Sequence, residues 1–580
     1  MNIFFYLLTA IATFYLASRF YSRFIARVLG EDDNNQTPAH TKNDGRDYVP
    51  TKNYIVFAHH FSAIAGAGPI IGPTMAILYG VVPAWLWIVL GGIFIGAVHD
   101  FTSLFISIRE GGKSMAEIAR KTLGKSGFNL FIFFTIVMMV LVTSSFLSAT
   151  AISLTSKWPL TKIGITGTDS ILKTEIINGE PYGLIGGIAS TSVIFITLCS
   201  PLIGWLIYKK GINQVAAYAS ATLVCVLSVL LGIQFPITLD PVIWMIIISV
   251  YVLIASGTPV WMILMPRDFI NVQILYAGIL LMASSLIITG ISGSQISMPS
   301  FNLEEGVKSL GLIWPMMFIT IACGAISGFH SLVAGGTTGK QIPKESDARK
   351  IGFNAMLLES ILAVCVLLAV GSGLSFVDYK AIVWPADPAA RSNPILGFSL
   401  AAGHLFHNGL GIPVALGTVF GILLVEGFVI TTLDAAVRLN RYLFEELWQI
   451  LFTNPPKIIM NYWFNSGLSV ALMWMLAYSN AFSALWPIFG TANQLLAALG
   501  LLAVSSWLLL KNKKYFFVLL PALFMIATTF FALLILLQNY FKSGQYTLII
   551  TDVLLLVLSV STGILVFRKF FSAKRQKAVN

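Results

Sequence analysis

Ionisable side chains stand within segments of this sequence that are otherwise apolar. A charged group at bilayer depth is costly and marks a functional site by default. Histidine and carboxylate side chains together suit proton transfer or ion binding, because histidine titrates near physiological pH. The set comprises His59, His60, His99, Asp100, His330, Glu359, Glu426 and Asp434.

Three interpretations of the histidines stay open. They form a proton relay tuned by a carboxylate such as Asp100, or they bind a metal, or they hydrogen-bond the backbone at a helix break. The weak metal candidates are His59, His60, His99, Asp100 and His330. However, neighbouring side chains on a helix point about 100° apart, and the i, i+4 spacing of a helical zinc pair is missing. A bound metal is therefore possible but not predicted.

The carboxylates also have structural interpretations. Asp434 and Arg438 are four residues apart, which suits a salt bridge along one helix. Glu359 could equally be a satisfied core carboxylate. The four cysteines all lie in apolar segments without metal-like spacing, which is typical of core residues.

The histidine pair lies beside residues that interrupt a helix. The run from Gly66 to Pro73 contains three glycines and two prolines, and non-helical backbone in a membrane is tolerated only where it lines a cavity or site. A second interruption is predicted at 256–259, Ser-Gly-Thr-Pro, within a span over 241–266. We expect the ends of the half-helices to bind a carboxylate with their free N–H groups. The predicted substrate-binding residues are Ser62, Gly66, Gly68, Pro69, Gly72, Ser256, Gly257 and Thr258.

The whole chain is built from such apolar segments. It has 580 residues, of which 57% are hydrophobic and 11% charged, whereas soluble proteins carry about 25% charged residues. Apolar runs near 20 residues predict about fifteen membrane spans, with a sixteenth short helix near 393–407. The apolar N-terminal run is interpreted as a retained first span, not a signal peptide.

The positive charge follows from topology. Most of the 36 Lys and Arg residues fall in alternate connections, so the N-terminus is predicted outside and the C-terminus in the cytoplasm. The net charge of +11 is therefore not taken as a nucleic-acid patch; the expected partners are the bilayer and a small-molecule substrate, and the oligomeric state stays open.

The two interrupted spans are five apart, which predicts that they cross in opposite directions, as in an inverted five-plus-five repeat. The predicted division is an N-terminal span and loop over 1–53, a transport core over 54–440 with halves 54–234 and 241–440, and additional spans over 441–580. The small-residue span 311–335 would then be the eighth core helix, lying against the first. The last spans are interpreted as scaffold or oligomer surface, although Asn493 and Gln494 are expected to hydrogen-bond a core helix.

Six stretches resemble the carbon starvation protein A (CstA) family. They are VFAHHFSAIAGAGPIIGP, GAVHDF, ITIACGAISGFHSLVAGGTT, SDARKIGFNAMLLES, TTLDAAVRLNR and WPIFGTANQLLA, in this order from residue 56 to about 498. The resemblance implies a secondary transporter of the bacterial inner membrane with a LeuT-like fold, which takes up pyruvate, coupled to protons, or peptides.

Proton coupling is preferred to sodium coupling because of this resemblance and because Asp100 adjoins histidines. Sodium remains an alternative, since the hydroxyls of Ser327 and Ser331 beside the carbonyls of 65–68 suit a hard cation. No cofactor is required. A metal-dependent membrane enzyme and a nutrient sensor are the competing functions; the sequence contains neither HExxH nor GxSxG, and it has no phosphate-binding loop.

Overall fold

The fold is almost entirely helical. The computed structural model describes residues 2–44, 48–163, 172–258, 262–387 and 391–579. Within these ranges eleven helices are long and apolar enough to cross a membrane, and 68–79 and 241–257 form shorter apolar helices. The prediction of a multi-pass all-helical membrane protein is confirmed, with several of the predicted spans divided into shorter helices.

The helices are numbered in chain order. They are α1 (Ile3–Leu16), α2 (Ser22–Leu29), α3 (Pro38–Thr41), α4 (Asn53–Ile64), α5 (Gly68–Ala76), α6 (Val81–Gly91), α7 (Ala97–Arg109), α8 (Met115–Leu123), α9 (Lys125–Leu154), α10 (Ile185–Tyr208), α11 (Gln214–Gln234), α12 (Pro241–Gly257), α13 (Leu264–Ile291), α14 (Leu303–Leu310), α15 (Ile313–Thr320), α16 (Phe329–Gly336), α17 (Glu345–Ala348), α18 (Asn354–Gly373), α19 (Phe376–Val383), α20 (Pro394–Leu410), α21 (Val414–Leu451), α22 (Tyr462–Ser479), α23 (Phe482–Leu510), α24 (Phe516–Ser543) and α25 (Tyr546–Val579).

Short turns and three strands complete the fold. Single π-helical turns join α1 to α2, α6 to α7 and α17 to α18, and they lie at Ala17–Tyr21, Gly92–Gly96 and Arg349–Phe353. Short 3₁₀ turns cover Ile77–Tyr79, Leu160–Ile163 and Thr338–Lys340. The strands β1 (Trp158–Pro159), β2 (Thr174–Ile177) and β3 (Glu180–Gly183) form an antiparallel sheet in the order β1-β3-β2, with Glu175 opposite Tyr182.

Two faces of the molecule are useful landmarks. The face with the β-sheet, α14 and α19 is called the hairpin face. The opposite face, with α2, α8 and the connection 337–344, is called the basic face.

Two helices are interrupted, and they run antiparallel. The first is α4–α5, where Ala65 leaves helical geometry and Pro69 occupies the first turn of α5, a position that proline favours. The second is α15–α16, where Thr320 is the last helical residue before a non-helical stretch to Gly328. Contacts between residues 60 and 338, 68 and 323, and 72 and 320 fix their opposite directions.

The following helices continue this inverted pairing. Helix α7 packs antiparallel to the segment α17–α18, since backbone of Asp100 meets Gly352 while Gly92 meets Ser360. Helix α9 packs against α21, and α12 against α22. The predicted inverted repeat is thus present, with the first half formed by α4–α5, α6–α7, α9, α12 and α13, and the second by α15–α16, α17–α18, α21, α22 and α23.

The location of the second interruption was predicted wrongly. Helix α12 ends at Gly257, and Arg438 donates hydrogen bonds to the carbonyl oxygens of Ala255 and Thr258 there. Helix α13 then starts at Leu264 and returns toward the hairpin face, where Gly409 abuts Ser285. Ser256 and Gly257 are thus the last residues of α12 and Thr258 follows them at the basic face, whereas Pro259 lies outside the described residues.

This shift changes the division of the core. The span 311–335, expected as the eighth core helix, is the discontinuous first helix of the second half. Helices α22 and α23, which were expected outside the core, pack on α9 and complete that half. Helices α10 and α11 form a hairpin inserted between the third and fourth helices of the first half.

Candidate functional site

The two helix interruptions cross at close range. A Cβ atom on Gly68 would lie 2.5 Å from the Cβ atom of Cys323, and one on Gly72 would lie 2.9 Å from the carbonyl oxygen of Thr320. Real Cβ contacts are never that short, so the crossing requires glycine at both positions. Gly68 and Gly72, predicted to bind substrate, therefore have a packing role in this conformation.

A small cavity, called the central cavity, lies at this crossing. Its volume is about 30 Å³, enough for one or two water molecules. The lining residues are Ala63, Ile64, Gly66, Gly68, Met138, Val142, Phe146, Cys323, Ser327, Phe329, Thr432, Phe489 and Asn493. Of the predicted substrate-binding residues, Gly66 and Gly68 line it. Ser62, Pro69 and Gly72 flank the first interruption, and Ser256, Gly257 and Thr258 lie apart at the basic face.

Helix α23 supplies the hydrogen bonds that the second interruption loses. The side-chain oxygen of Asn493 accepts from the N–H of Phe329 at 3.2 Å and its amide donates to the Ser327 hydroxyl at 3.1 Å. Gln494 donates to the carbonyl of Phe318 at 2.6 Å, and Trp486 donates to that of Thr320 at 3.1 Å. The expectation that Asn493 and Gln494 bind a core helix is confirmed. Buried non-helical backbone needs such partners.

A cluster of ionisable residues lies on the basic-face side of the crossing. We call His60, His99, Asp100, His330 and Glu359 the histidine cluster; all five are buried. The two oxygens of Asp100 accept hydrogen bonds from Nδ1 of His99 at 2.8 Å and Nδ1 of His330 at 2.7 Å. An ionised carboxylate only accepts hydrogen bonds, so this geometry suits rings that carry a proton on Nδ1. Nε2 of His330 faces Oε2 of Glu359 at 3.3 Å.

His60 belongs to the histidine cluster, whereas its chain neighbour His59 does not. Nδ1 of His60 is 2.9 Å from the hydroxyl of Thr338, and Nε2 of both His60 and His99 lies buried without a hydrogen-bond partner among the described residues. His59 is exposed and lies outside the cluster. The structure thus brings together four of the five weak metal candidates. No three His, Cys, Asp or Glu side chains in the described ranges are arranged to hold a metal ion.

Asp434 has a different partner from the predicted one. Its Oδ2 atom accepts from the hydroxyl of Tyr251 at 2.5 Å and from Nη1 of Arg267 at 3.1 Å. Arg438 instead caps the end of α12, so the expected pair along one helix does not form. Sequence spacing could not reveal this network, because Arg267 reads as a loop residue and reaches Asp434 only through the fold.

Glu426 is a buried carboxylate on α21, apart from the other ionisable side chains of the predicted set. It is buried, and neither carboxylate oxygen has a hydrogen-bond partner among the described residues. The hydroxyls of Thr150 and Ser153 on α9 are its near polar neighbours. It lies outside the histidine cluster, as does Asp434.

These features define the class of the protein: a multi-pass membrane protein with the crossed discontinuous helices of secondary transporters. The chain belongs to the carbon starvation protein CstA family, whose model matches residues 2–390 and 375–532.

The names of the chain's relatives agree with this class. The chain is 31% identical over 527 residues to peptide transporter CstA of Bacillus subtilis, which covers 84% of this chain and 82% of that protein. It is 30% identical over 563 residues to the pyruvate/proton symporter BtsT of Escherichia coli, covering 85% and 75%. Among solved structures, a manganese transporter of Eremococcus coleocola aligns over 91% of this chain and 98% of its own with 10% identity and a TM-score of 0.47. MhsT with L-phenylalanine aligns over 89% and 100% with 13% identity and a TM-score of 0.47.

Proposed function

We propose that this protein is a proton-coupled secondary transporter that imports small carboxylates such as pyruvate, or peptides, across the bacterial inner membrane. Family membership and the names of the relatives support the transport of these substrates. The observation that carries the proton coupling is the position of the histidine cluster. His330 directly follows Phe329, which lines the central cavity, so substrate binding and protonation act on the same short helix.

The cluster offers a simple mechanism for coupling. With both ring nitrogens protonated, His330 pairs with Asp100 through Nδ1 and with Glu359 through Nε2. These carboxylates lie on α7 and α18, so a protonated His330 ties α16 to both helices. Loss of one proton removes one donor, and an unpaired buried carboxylate is costly. Protonation therefore biases the position of α16 relative to its neighbours, which is the requirement for coupling.

Substrate is proposed to bind where the half-helices α5 and α16 begin. The N-terminal end of α5 suits a carboxylate. At α16 the Phe329 N–H and the Ser327 hydroxyl are bonded to Asn493, so they become available to substrate only when α23 moves away. The central cavity holds only one or two waters, so binding there requires the two interrupted helices to separate. Alternating access between the two faces supplies that separation.

Protons are favoured over sodium by the contacts of the serines. The Ser327 hydroxyl is bonded to Asn493, and the Ser331 hydroxyl donates to the carbonyl of Gly328 at 2.7 Å. Both hydroxyls proposed as sodium ligands are therefore engaged by protein groups. The concentration of Lys and Arg on the basic face supports a cytoplasmic location of this face and of the C-terminus, with the N-terminus outside.

Uptake into proteoliposomes tests the proposal. Wild-type protein is expected to accumulate labelled pyruvate or a labelled dipeptide when a proton gradient is imposed without sodium. Glu359→Gln removes one titrating group but keeps its shape, so accumulation is expected to fall to simple equilibration while exchange of labelled for unlabelled substrate continues.

His59→Gln is the matched control, because the His59 side chain is exposed and, among the described residues, makes no hydrogen bond or ion pair with the cluster. Equal accumulation by the Glu359→Gln and wild-type proteins would contradict proton coupling through this cluster. Binding without accumulation by the wild type would instead favour a nutrient sensor, and chemical conversion of the substrate would favour an enzyme.

A further inference from the structure

A second, much larger cavity opens on the hairpin face. Its volume is about 1020 Å³, at the upper end of the roughly 300–1,000 Å³ of small-molecule sites. Its described walls come from α9, α12, α14, α15, α19, residues 384–387 and 391–392, and α22 to α24. We call it the vestibule. In this conformation the vestibule can hold a ligand that is too large for the central cavity.

The floor of the vestibule is close to the central cavity. Ser148 on α9 and Pro487 on α23 line the vestibule. Phe146, two residues before Ser148, and Phe489, two residues after Pro487, line the central cavity. Their rings meet edge to face, with centroids 6.1 Å apart and planes at 64°, and both side chains are buried. This aromatic pair therefore separates the two cavities.

The rim of the vestibule is charged. Its described lining includes three cationic residues, Lys308, Lys380 and Arg391, and two acidic ones, Glu305 and Asp387. Nζ of Lys380 donates to Glu305 at 2.6 Å, which neutralises that pair. Lys308 and Arg391 are exposed at the mouth. A positive excess at a concave mouth raises the local concentration of anions and speeds their entry.

We propose that the vestibule is an outer binding site for small molecules with a free carboxylate, held by Lys308 and Arg391, before the Phe146–Phe489 pair opens. This inference rests on the proposed transport function and adds a second site to it. Keto acids and short peptides share this carboxylate, and the test distinguishes the two.

Equilibrium binding to the full-length protein in nanodiscs tests the site directly. Labelled pyruvate and labelled trialanine are the probes. The background variant is Gly66→Leu, which fills the central cavity; a Cβ atom on Gly66 has only the Thr432 hydroxyl nearby, at an ordinary 3.5 Å. This variant is expected to lose uptake and to keep binding. Adding Lys308→Gln and Arg391→Gln is expected to weaken binding at least tenfold, whereas Lys308→Arg and Arg391→Lys preserve it.

Two results would overturn the proposal: loss of all binding in Gly66→Leu protein that is folded, or equal binding by the glutamine and charge-preserving variants. Binding of one probe alone assigns the ligand class. A wild-type protein that binds through Lys308 and Arg391 but does not accumulate substrate would refute the transport function and leave the site standing.

A second measurement does not depend on the filled cavity. Ser148→Cys places a thiol on the vestibule floor, and bound probe is expected to slow its reaction with a membrane-impermeant thiol reagent. Wild-type protein measured in parallel accounts for the native cysteines. Protection that survives the Lys308→Gln and Arg391→Gln changes would contradict the role of the rim.

Discussion

The contact between Gly68 and Cys323 predicts a specific rescue. A methyl group at Gly68 would lie 2.5 Å from the Cβ atom of Cys323, where carbon atoms normally stay about 3.5–4.0 Å apart. The Gly68→Ala change therefore forces the two interrupted helices apart by about 1 Å. Overpacking of this kind costs about 1–3 kcal/mol, and a displacement of about 1 Å in a functional site can cost about a hundredfold in rate.

Replacing Cys323 by glycine should return the lost space. We expect Gly68→Ala to lower uptake more than tenfold, Cys323→Gly to lower it only a few fold, and the double variant to recover most of the loss. The interaction energy in this cycle should be about 1–3 kcal/mol, within the range for residues in direct contact.

The assay is initial uptake of labelled substrate by proteoliposomes with equal amounts of incorporated protein. Gly68→Ala with Cys323→Ala is the matched control, because alanine keeps the Cβ atom that the new methyl group meets. Additive losses in the Gly68→Ala/Cys323→Gly double variant would refute the idea that the helix crossing is set by this contact.

Three further predictions concern stability. Asn493→Ala leaves a buried N–H and a hydroxyl without their partner, so thermal unfolding should show a loss of about 1–3 kcal/mol for each group; no loss would contradict its role at the interruption. Arg267→Met should destabilise by about 3–5 kcal/mol because Asp434 stays buried without its counter-charge and keeps only the Tyr251 hydroxyl, and adding Asp434→Leu should recover most of this; a double variant as unstable as the single one would argue against the pair. Burial opposes ionisation of Glu110, but hydrogen bonds from Lys121 and Trp507 outweigh it and hold its pKa below the usual value. Its contribution is therefore present above the pKa of the unfolded state and lost as the pH falls through the lower folded value, so Glu110→Gln should lower the melting temperature at pH 7 and make no difference in strong acid.

The first interruption was predictable because its composition is extreme. Glycines and prolines between Gly66 and Pro73 disfavour one continuous membrane helix, and the chain leaves helical geometry at Ala65 before α5 begins at Gly68. The histidines beside them mark a polar environment. The antiparallel crossing was also predictable, because in an inverted repeat the first helix of each half is interrupted and the two cross the membrane in opposite directions.

The second interruption was not predictable from composition. The stretch 321–328 contains no proline, and its small residues are compatible with a close-packed helix. Its helix ends because Trp486, Asn493 and Gln494 offer hydrogen bonds to the freed backbone, and these residues are more than 150 positions away. The Ser-Gly-Thr-Pro sequence misleads for the opposite reason, since apolar residues continue on both sides of it, but α12 ends at Gly257 and α13 runs back in the opposite direction.

The histidine cluster was partly predictable. Asp100, His330 and Glu359 were selected as buried ionisable groups, but their mutual distances depend on three helices from both halves of the fold. His59 has the same residue type as His60, and only the helix rotation places one in the cluster and the other at the surface. Arg267 shows the same limitation, because its partner Asp434 lies on a distant helix.

Substrate-induced proton movement tests the central claim most directly. Proteoliposomes containing a trapped pH indicator, without a proton gradient and without sodium, receive external pyruvate or dipeptide as the only driving force. We predict acidification of the interior that accompanies uptake with the wild-type protein and disappears in Glu359→Gln. Substrate entry with no change in internal pH, or entry that requires sodium, would contradict proton coupling through the histidine cluster.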